Sequence, residues 1–261
     1  MKLINAEIIN NNRIGDCLYK LEFFSPYICK TASPGQFINI RCCGPGQIDP
    51  LLRRPFSIYD TDKKFHVATI LYLVKGRGTA NLSRLERGNI IDVCGPLGNP
   101  VQPAADKILL IAGGIGIAPI HFLAKHCIHS HKTVYLLAGF KDQNYMLAEK
   151  DIMRLNIDYS IYCEQDMWAN RGLVTQGLHH LSRFQGYHIY CCGPVDMLKA
   201  LQKKLAGAKN QVTALLEERM ACGIGVCQGC VQKIKNGRDS YSYQKVCSQG
   251  PAFNLMEVLF E

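Results

Sequence analysis

The sequence predicts a chain of β + α/β class. It has a β-rich N-terminal part, a central parallel α/β sheet and a small cysteine-bearing C-terminal part. Three observations carry this reading. Short runs of β-branched and aromatic residues, cut by turn signals, fill the first hundred residues. Near residue 100 the rhythm changes to apolar strands alternating with helical stretches. From about Gln211 the pattern turns irregular, and Cys222, Cys227, Cys230 and Cys247 fall there.

The N-terminal strands are expected at Ile4–Ile9, Cys17–Phe24, Gln36–Cys42, Pro55–Tyr59 and Phe65–Val74. Asn11-Asn12, Pro34-Gly35, Gly44-Pro45-Gly46 and Asp60–Lys63 separate them as turns. Many short strands at this spacing form a barrel or a sandwich. A short helix is expected over about Ala80–Leu85. Then Lys107-Ile-Leu-Leu-Ile-Ala is a continuous apolar run, as in a strand buried on both faces. A helix over Ala118 to about Ile128 follows, then strands at Thr133–Ala138, Ile157–Cys163 and Tyr187–Cys191, and a helix after Pro194. Alternating strand and helix means a parallel sheet with nucleotide-binding potential. The expected boundaries are 1–101, 102–210 and 211–261.

Composition excludes several classes. A length of 261 residues allows one large domain or two to three small ones. The net charge of +9 comes from dispersed lysines and arginines without a run of five or six, which argues against nucleic acid. No stretch approaches the ~18 uninterrupted apolar residues that span a bilayer. The first residues carry Glu7 and asparagines where a signal peptide needs an apolar core. Thirteen scattered cysteines fit a reducing compartment, so a cytoplasmic location is expected.

The four C-terminal cysteines are the most specific motif. Cys222-x4-Cys227-x2-Cys230 with a distant Cys247 is the arrangement that wraps a plant-type [2Fe-2S] cluster. Gly223 and Gly225 lie inside the first gap, where a loop around inorganic sulfide needs bare backbone. Structural zinc is the alternative, but zinc sites usually present two separated Cys-x2-4-Cys knuckles. Free thiols are the other alternative. Upstream, Arg54-Pro55-Phe56-Ser57 offers a guanidinium fork for a diphosphate and a hydroxyl for a heterocycle edge, or is a plain strand start. Gly76-Arg-Gly78-Thr79 opens a helix as an anion site, or is a turn capped by Thr79. Gly113-Gly114-Ile-Gly116 lies between a strand and a helix, the context of a dinucleotide loop, although Pro119 replaces the last glycine of the strict fingerprint. A ligand-free βα turn is the alternative. Cys192-Gly193-Pro194 also joins strand to helix, at the same sheet edge. His121, His126, His129 and His131 with Cys127 read as a solvated helix end rather than a metal site.

In this order the motifs resemble the ferredoxin-NADP reductase superfamily. Glu218-Arg-Met-Ala-Cys222-Gly-Ile-Gly-Val-Cys227-Gln-Gly-Cys230 and Val246-Cys-Ser-Gln-Gly-Pro-Ala-Phe253 are similar to the electron-transfer subunits of NAD-dependent (type B) dihydroorotate dehydrogenases, over essentially the whole chain. The resemblance implies an antiparallel barrel carrying FAD, an α/β domain binding NAD and a small [2Fe-2S] domain. It implies that Arg54 to Ser57 hold the flavin, that Leu71-Tyr72-Leu73 line it, and that Gly78 and Thr79 cradle its diphosphate. Gly113, Gly114, Gly116, Cys192, Gly193 and Pro194 would serve NAD, and the four cysteines the cluster. The implied partner is an FMN-containing catalytic subunit that oxidises dihydroorotate to orotate, in a heterotetramer of two copies of each. Electrons would run from FMN through the cluster and FAD to NAD+, in pyrimidine biosynthesis. Two alternatives stand. One is a related iron-sulfur flavoprotein subunit of a hydrogenase, sulfide dehydrogenase or transhydrogenase. The other is a zinc-stabilised binding module without redox function. Ser248-Gln249 departs from the charged residues expected before Gly250-Pro251.

Overall fold

The structure is a computed structural model that describes residues 1–44, 46–142, 146–165, 169–237 and 240–260. Pro45 of the expected turn lies outside the described residues. The chain divides into two compact units. The first comprises Met1–Val101, Glu217–Val231 and Lys245–Pro251, and the second comprises Gln102–Leu216, Gln232–Gln244 and Ala252–Glu261.

The first unit is built on β1 (Lys2–Arg13), β2 (Leu18–Phe24), α1 (Pro26–Thr31), β3 (Phe37–Ile40), β4 (Arg54–Asp62), β5 (Val67–Leu73), α2 (Arg77–Leu82) and β6 (Ile90–Leu97). The strands close into a barrel in the order β1-β2-β5-β4-β3-β6. Every pairing is antiparallel, and β1 meets β6 to seal it. The sandwich alternative is therefore set aside. Ile8, Leu21, Phe23, Ile38, Ile58 and Ile70 are almost fully withdrawn from water. Burying each contributes about 1.5–3 kcal/mol relative to leaving it exposed.

Two elements here are absent from the expected strand pattern. Strand β6 supplies the closing edge; its Ile91 and Val93 are buried while Ile90 and Asp92 are not, the alternation of a half-buried strand. Helix α1 starts on Ser25, whose hydroxyl accepts the Ile28 N–H at 3.2 Å, with Pro26 in the first turn.

The second unit holds β7 (Lys107–Gly113), α3 (Ile117–His129), β8 (Thr133–Phe140), α4 (Met146–Met153), β9 (Asp158–Cys163), β10 (Asn170–Arg171), β11 (His188–Cys192), α5 (Val195–Leu205) and β12 (Val212–Leu215). Later come β13 (Val231–Lys235), β14 (Tyr241–Lys245), β15 (Ala252–Asn254) and β16 (Val258–Leu259). The large sheet runs β10-β9-β8-β7-β11-β12-β15, parallel except for β15. The chain steps outward from β7 to β10 and then returns to β11 on the other side of β7. The gap between β7 and β11 is thus the topological switch point, where open α/β sheets bind ligands.

The sheet runs past residue 210, because β12 pairs in parallel with β11 and β15 pairs with β12. The segment 211–261 is accordingly divided: 217–231 and 245–251 gather with the barrel, while 232–244 and 252–261 gather with the sheet. A small sheet of order β14-β13-β16 completes the C-terminal region.

One detail differs from the reading of the sequence. His121 is buried in α3 rather than part of a solvated helix end, whereas His126 and His129 are exposed. Of the cysteines outside the C-terminal motif, Cys29, Cys42, Cys127, Cys163, Cys191 and Cys192 are buried as small hydrophobes, but Cys17 is exposed and Cys43 and Cys94 are half-buried.

Candidate cofactor sites on the barrel and the switch-point sheet

The four motif cysteines come together in the first unit, on the segments 217–231 and 245–251. The loop carrying them turns through left-handed backbone at Gly223 (φ +70°), Gly225 (φ +86°) and Gln228 (φ +59°). Those turns aim backbone N–H groups at sulfur. Ile224 and Cys227 donate to the Cys222 Sγ at 3.4 Å each, and Gly225 donates to the Cys247 Sγ at 3.1 Å. Gly229 donates to the Cys227 Sγ and Cys247 to the Cys230 Sγ, both at 3.4 Å. The thiols also act on one another, Cys227 on Cys222, and both Cys230 and Cys222 on Cys247.

This environment pulls the thiols apart in acidity. Burial alone would raise Cys222, but the surrounding N–H groups and the Cys227 thiol outweigh it and bring Cys222 down to about 6. Cys247 is pushed up to about 11 by burial and by its contact with Cys230, against the Gly225 N–H. Cys230 and Cys247 are buried, Cys222 is half-buried and Cys227 is exposed. The loop thus has a buried side toward the barrel and an open side at Cys227, where Ile224 and Val226 are also exposed.

On the barrel, the two flavin motifs meet although they are separated in sequence. The Arg54 side chain lies over Gly78, where a Cβ would stand 3.2 Å from its Nε. Arg54 is held from behind by donating to the Leu52 carbonyl at 2.6 Å. The Thr79 hydroxyl accepts the N–H groups of Lys75 and Gly76, at 2.9 and 3.2 Å, so it shapes the turn into α2. A cavity of about 400 Å3 adjoins this pair through Cys42, with Arg41, Asn81 and Asp92 in its wall.

Strand alternation sorts the remaining predicted residues. Phe56 and Tyr72 share one face and pack edge-on at 5.7 Å, both buried. The Tyr72 hydroxyl donates to Asn11 Oδ1 at 3.0 Å. Pro55 and Ser57 on β4, and Leu71 and Leu73 on β5, take the opposite parity. Pro55, Ser57 and Leu73 remain half-exposed.

In the second unit, the turns after β7 and β11 converge at the switch point. Cys192 pairs with Ala112, so Gly113 and Gly193 leave the sheet side by side. Met197 of α5 packs against both, its sulfur 2.5 Å from where a Gly113 Cβ would stand. A Cβ on Gly116 would lie 2.3 Å from the Cys192 carbonyl oxygen. Cys192 is buried and Pro194 is exposed at the turn. The sequence left these glycines between a dinucleotide loop and a ligand-free βα turn; in the structure backbone packing alone demands a glycine at Gly116.

A residue absent from the sequence reading joins the cluster segment to the barrel. Asn39 on β3 is buried, and its Nδ2 donates to the Cys222 carbonyl at 3.5 Å. A lone Asn in a Phe-Ile-Asn-Ile strand was the available signal: a polar side chain in an otherwise apolar run.

A closed antiparallel barrel followed by a switch-point sheet, with four thiols seated beside the barrel, defines the reductase class in which a flavin-type barrel, a nucleotide sheet and an iron-sulfur segment share one chain. Comparison with known proteins makes this particular. The model of the iron-sulfur cluster binding domain of dihydroorotate dehydrogenase B matches residues 217–259, and that of the oxidoreductase NAD-binding domain matches residues 110–203. The electron transfer subunit of dihydroorotate dehydrogenase B (NAD(+)) from Caldanaerobacter subterraneus subsp. tengcongensis is 36% identical over 258 residues, covering 98% of each chain. The solved NADH-dependent reduced ferredoxin-NADP oxidoreductase, studied for flavin-based electron bifurcation, superposes with a TM-score of 0.84 at 26% identity, over 97% of this chain and 89% of that one. A ferredoxin NADP+ reductase from Neisseria gonorrhoeae, solved with bound FAD and NADP, shares the fold at a TM-score of 0.66 and 14% identity, over 80% of this chain and 92% of that one. The chain belongs to the family of electron transfer subunits of dihydroorotate dehydrogenase B.

Proposed function

We propose that this chain takes electrons from the FMN of a dihydroorotate-oxidising catalytic subunit and delivers them to NAD+, using a [2Fe-2S] cluster and FAD, as one half of a heterotetramer with two copies of each subunit. The carrying observation is the cysteine loop. Four thiols gather there, with backbone N–H groups aimed at each of Cys222, Cys227, Cys230 and Cys247. Four thiolates, three of them in one glycine-bearing loop, are the ligand set a [2Fe-2S] cluster would take. A single zinc ion would ask all four to converge tetrahedrally, and structural zinc sites usually present two separated knuckles rather than three thiols in one loop. When bound, the cluster exchanges single electrons, the flavin accepts electrons singly and releases hydride, and nicotinamide accepts hydride.

The chain's own residues then have distinct tasks. Cys222, Cys227, Cys230 and Cys247 hold the irons, and the N–H groups on their sulfurs stabilise the thiolate charge. Arg54, beside Gly78, would grip the flavin diphosphate with a charge-assisted fork. Thr79 keeps the turn before α2 in shape. Pro55, Ser57, Leu71 and Leu73 present the flavin face, with Phe56 and Tyr72 supporting it from behind. The turns at Gly113, Gly114 and Gly116 and at Cys192, Gly193 and Pro194 take the nicotinamide dinucleotide at the switch point. The exposed edge at Cys227, Ile224 and Val226 faces the catalytic subunit. Among the described residues no helix is long and apolar enough to cross a membrane. Thirteen dispersed cysteines suit a reducing cytoplasm.

Anaerobic titration with NADH tests the reading. Purified, reconstituted protein should show flavin bands with broad iron-sulfur absorption, and both should bleach. Mixed with the FMN-bearing subunit and dihydroorotate, it should reduce NAD+. A colourless protein that binds zinc and does not react with NADH refutes the proposal.

A further inference from the structure

The segment that carries the cysteines is seated on one face of the barrel wall, and a buried polar side chain helps join the two. In β3, Phe37 pairs with Ser57 and Asn39 with Pro55 of β4. Residues paired directly across antiparallel strands share a face. Phe37 also pairs with Leu97, and Asn39 with Cys94, on β6. The cysteine loop closes over this same face. A Cβ on Gly223 would stand 2.2 Å from Asn39 Nδ2 and 3.4 Å from Leu97 Cδ1. One on Gly98 would stand 3.0 Å from the Phe37 ring and 3.1 Å from Pro251. Asn99 binds the second cysteine segment, donating to the carbonyl of Ser248 at 3.1 Å and, through its backbone, to that of Gly250 at 2.8 Å. The cysteine loop therefore lies over β3 and β6, and the Arg54–Ser57 strand is the next one along, about 4.8 Å away.

Asn39 is the polar side chain at this junction. It is 1% exposed, and its Nδ2 donates to the carbonyl of Cys222 at 3.5 Å. Its Oδ1 is buried with no hydrogen-bond partner among the described residues. A buried acceptor without a donor costs stability, and an apolar side chain of similar size would avoid that cost. Asparagine is therefore not the side chain that fold stability alone would select at this position. The partner shown on the cysteine side is the Cys222 carbonyl, an acceptor, which the amide NH2 end satisfies.

We infer that Asn39 is a positioning residue for electron exchange between the cysteine-held cluster and the flavin on β4: its Nδ2 fixes the Cys222 end of the loop against β3, one strand from Ser57. This rests on the cluster and flavin sites proposed above. The residue acts through the Cys222 backbone and touches no reacting atom. An apolar replacement frees the loop end, alters the N–H set around Cys222 and lengthens the gap to β4.

Asn39→Leu in the full chain, loaded with both cofactors, is the test. Removal of the unpaired acceptor should leave the Tm unchanged or raise it. The reduced cluster should show altered EPR g-values and a displaced midpoint potential. Transfer from NADH-reduced flavin to the cluster, followed by stopped flow, should slow as the gap to β4 widens. Hydride transfer from NADH to FAD should keep its rate. Asn39→Asp, with the same shape and no NH2, should displace the potential as well, and it serves if the leucine variant does not fold. An unchanged EPR spectrum, potential and transfer rate overturn the inference. So does a lower Tm with unchanged cluster signals, which would make Asn39 purely structural. Cys222→Ser is run beside them: an intact cluster in that variant removes Cys222 from the ligand set, which is a failure of the site assignment and not of Asn39.

Discussion

Replacing Gly116 with alanine separates two reasons for a glycine at the head of α3. Its backbone is ordinary (φ −59°, ψ −10°), so alanine meets no torsional strain there. On an unobstructed site, Gly→Ala would stabilise by about 0.4–1 kcal/mol through the unfolded state. Here the new Cβ would lie 2.3 Å from the carbonyl oxygen of Cys192, 2.5 Å from its carbon and 2.8 Å from the nitrogen of Gly193. Ordinary contacts between such atoms begin near 3.3–3.5 Å, so the turns must part by roughly 1 Å. None of the obstructing atoms belongs to a flexible side chain. They are fixed by the β7–β11 ladder, which pairs Ile108–Ala112 with His188–Cys192. Overpacking costs about 1–3 kcal/mol. With backbone as the obstacle the upper end applies, leaving a net loss of about 2 kcal/mol and a Tm lower by about 6–8 °C for a unit of this size. Thermal unfolding without nucleotide is the assay, with Gly76→Ala as control, since Gly76 has extended backbone and nothing within 4 Å. The variant should also bind NADH more weakly, because the displaced turn is part of the proposed site. An unchanged Tm with NADH binding lost would show that the glycine serves the ligand alone and would refute the packing argument.

Three other outcomes are expected. Arg54→Ala should weaken FAD retention by about 1.5–3 kcal/mol, the worth of a charged hydrogen bond, measured by flavin fluorescence on dilution; unchanged affinity removes Arg54 from the diphosphate site. Cys230→Ser should abolish the cluster EPR signal while NADH still bleaches the flavin, and an intact signal would take Cys230 off the ligand list. Burial holds His188 below its ordinary value of 6.5, so its stabilising contribution is complete above pH 6.5 and is lost as pH falls from there toward the depressed value. Between about pH 7.5 and 5.5 the Tm of the wild type should therefore fall more than that of His188→Gln; parallel curves would contradict this.

Local chemistry made much of the protein legible. The apolar run at Lys107–Ala112 became β7, the Thr133 run became β8, and the helix expected over Ala118–Ile128 became α3. These segments are long and strongly patterned, and burial on both faces leaves a clear mark in composition. Strand β6 was less visible, because Asp92 interrupts its apolar residues and the strand's role, closing the barrel against β1, appears only in three dimensions. Asp92 is held there by Arg53 at 2.6 Å. The parity of β4 and β5 was also not readable from motifs alone. Arg54-Pro-Phe-Ser57 reads as one binding unit, yet alternation turns Phe56 to the barrel side and Ser57 to the other.

The sequence by itself determined the chemistry available: four thiols in a glycine-bearing loop, an arginine fork, and glycine turns between apolar strands and helices. Those are properties of residue type and local spacing, which need no fold to be read. Tertiary structure decided what they stand next to. Arg54 lies over Gly78, Gly116 meets Cys192, and Asn39 reaches Cys222 across 183 positions of sequence. Such contacts join segments whose separation leaves no periodic trace. They exist because the barrel closes, because the sheet reverses its order at β7, and because the cysteine loop needs a packed face to rest on.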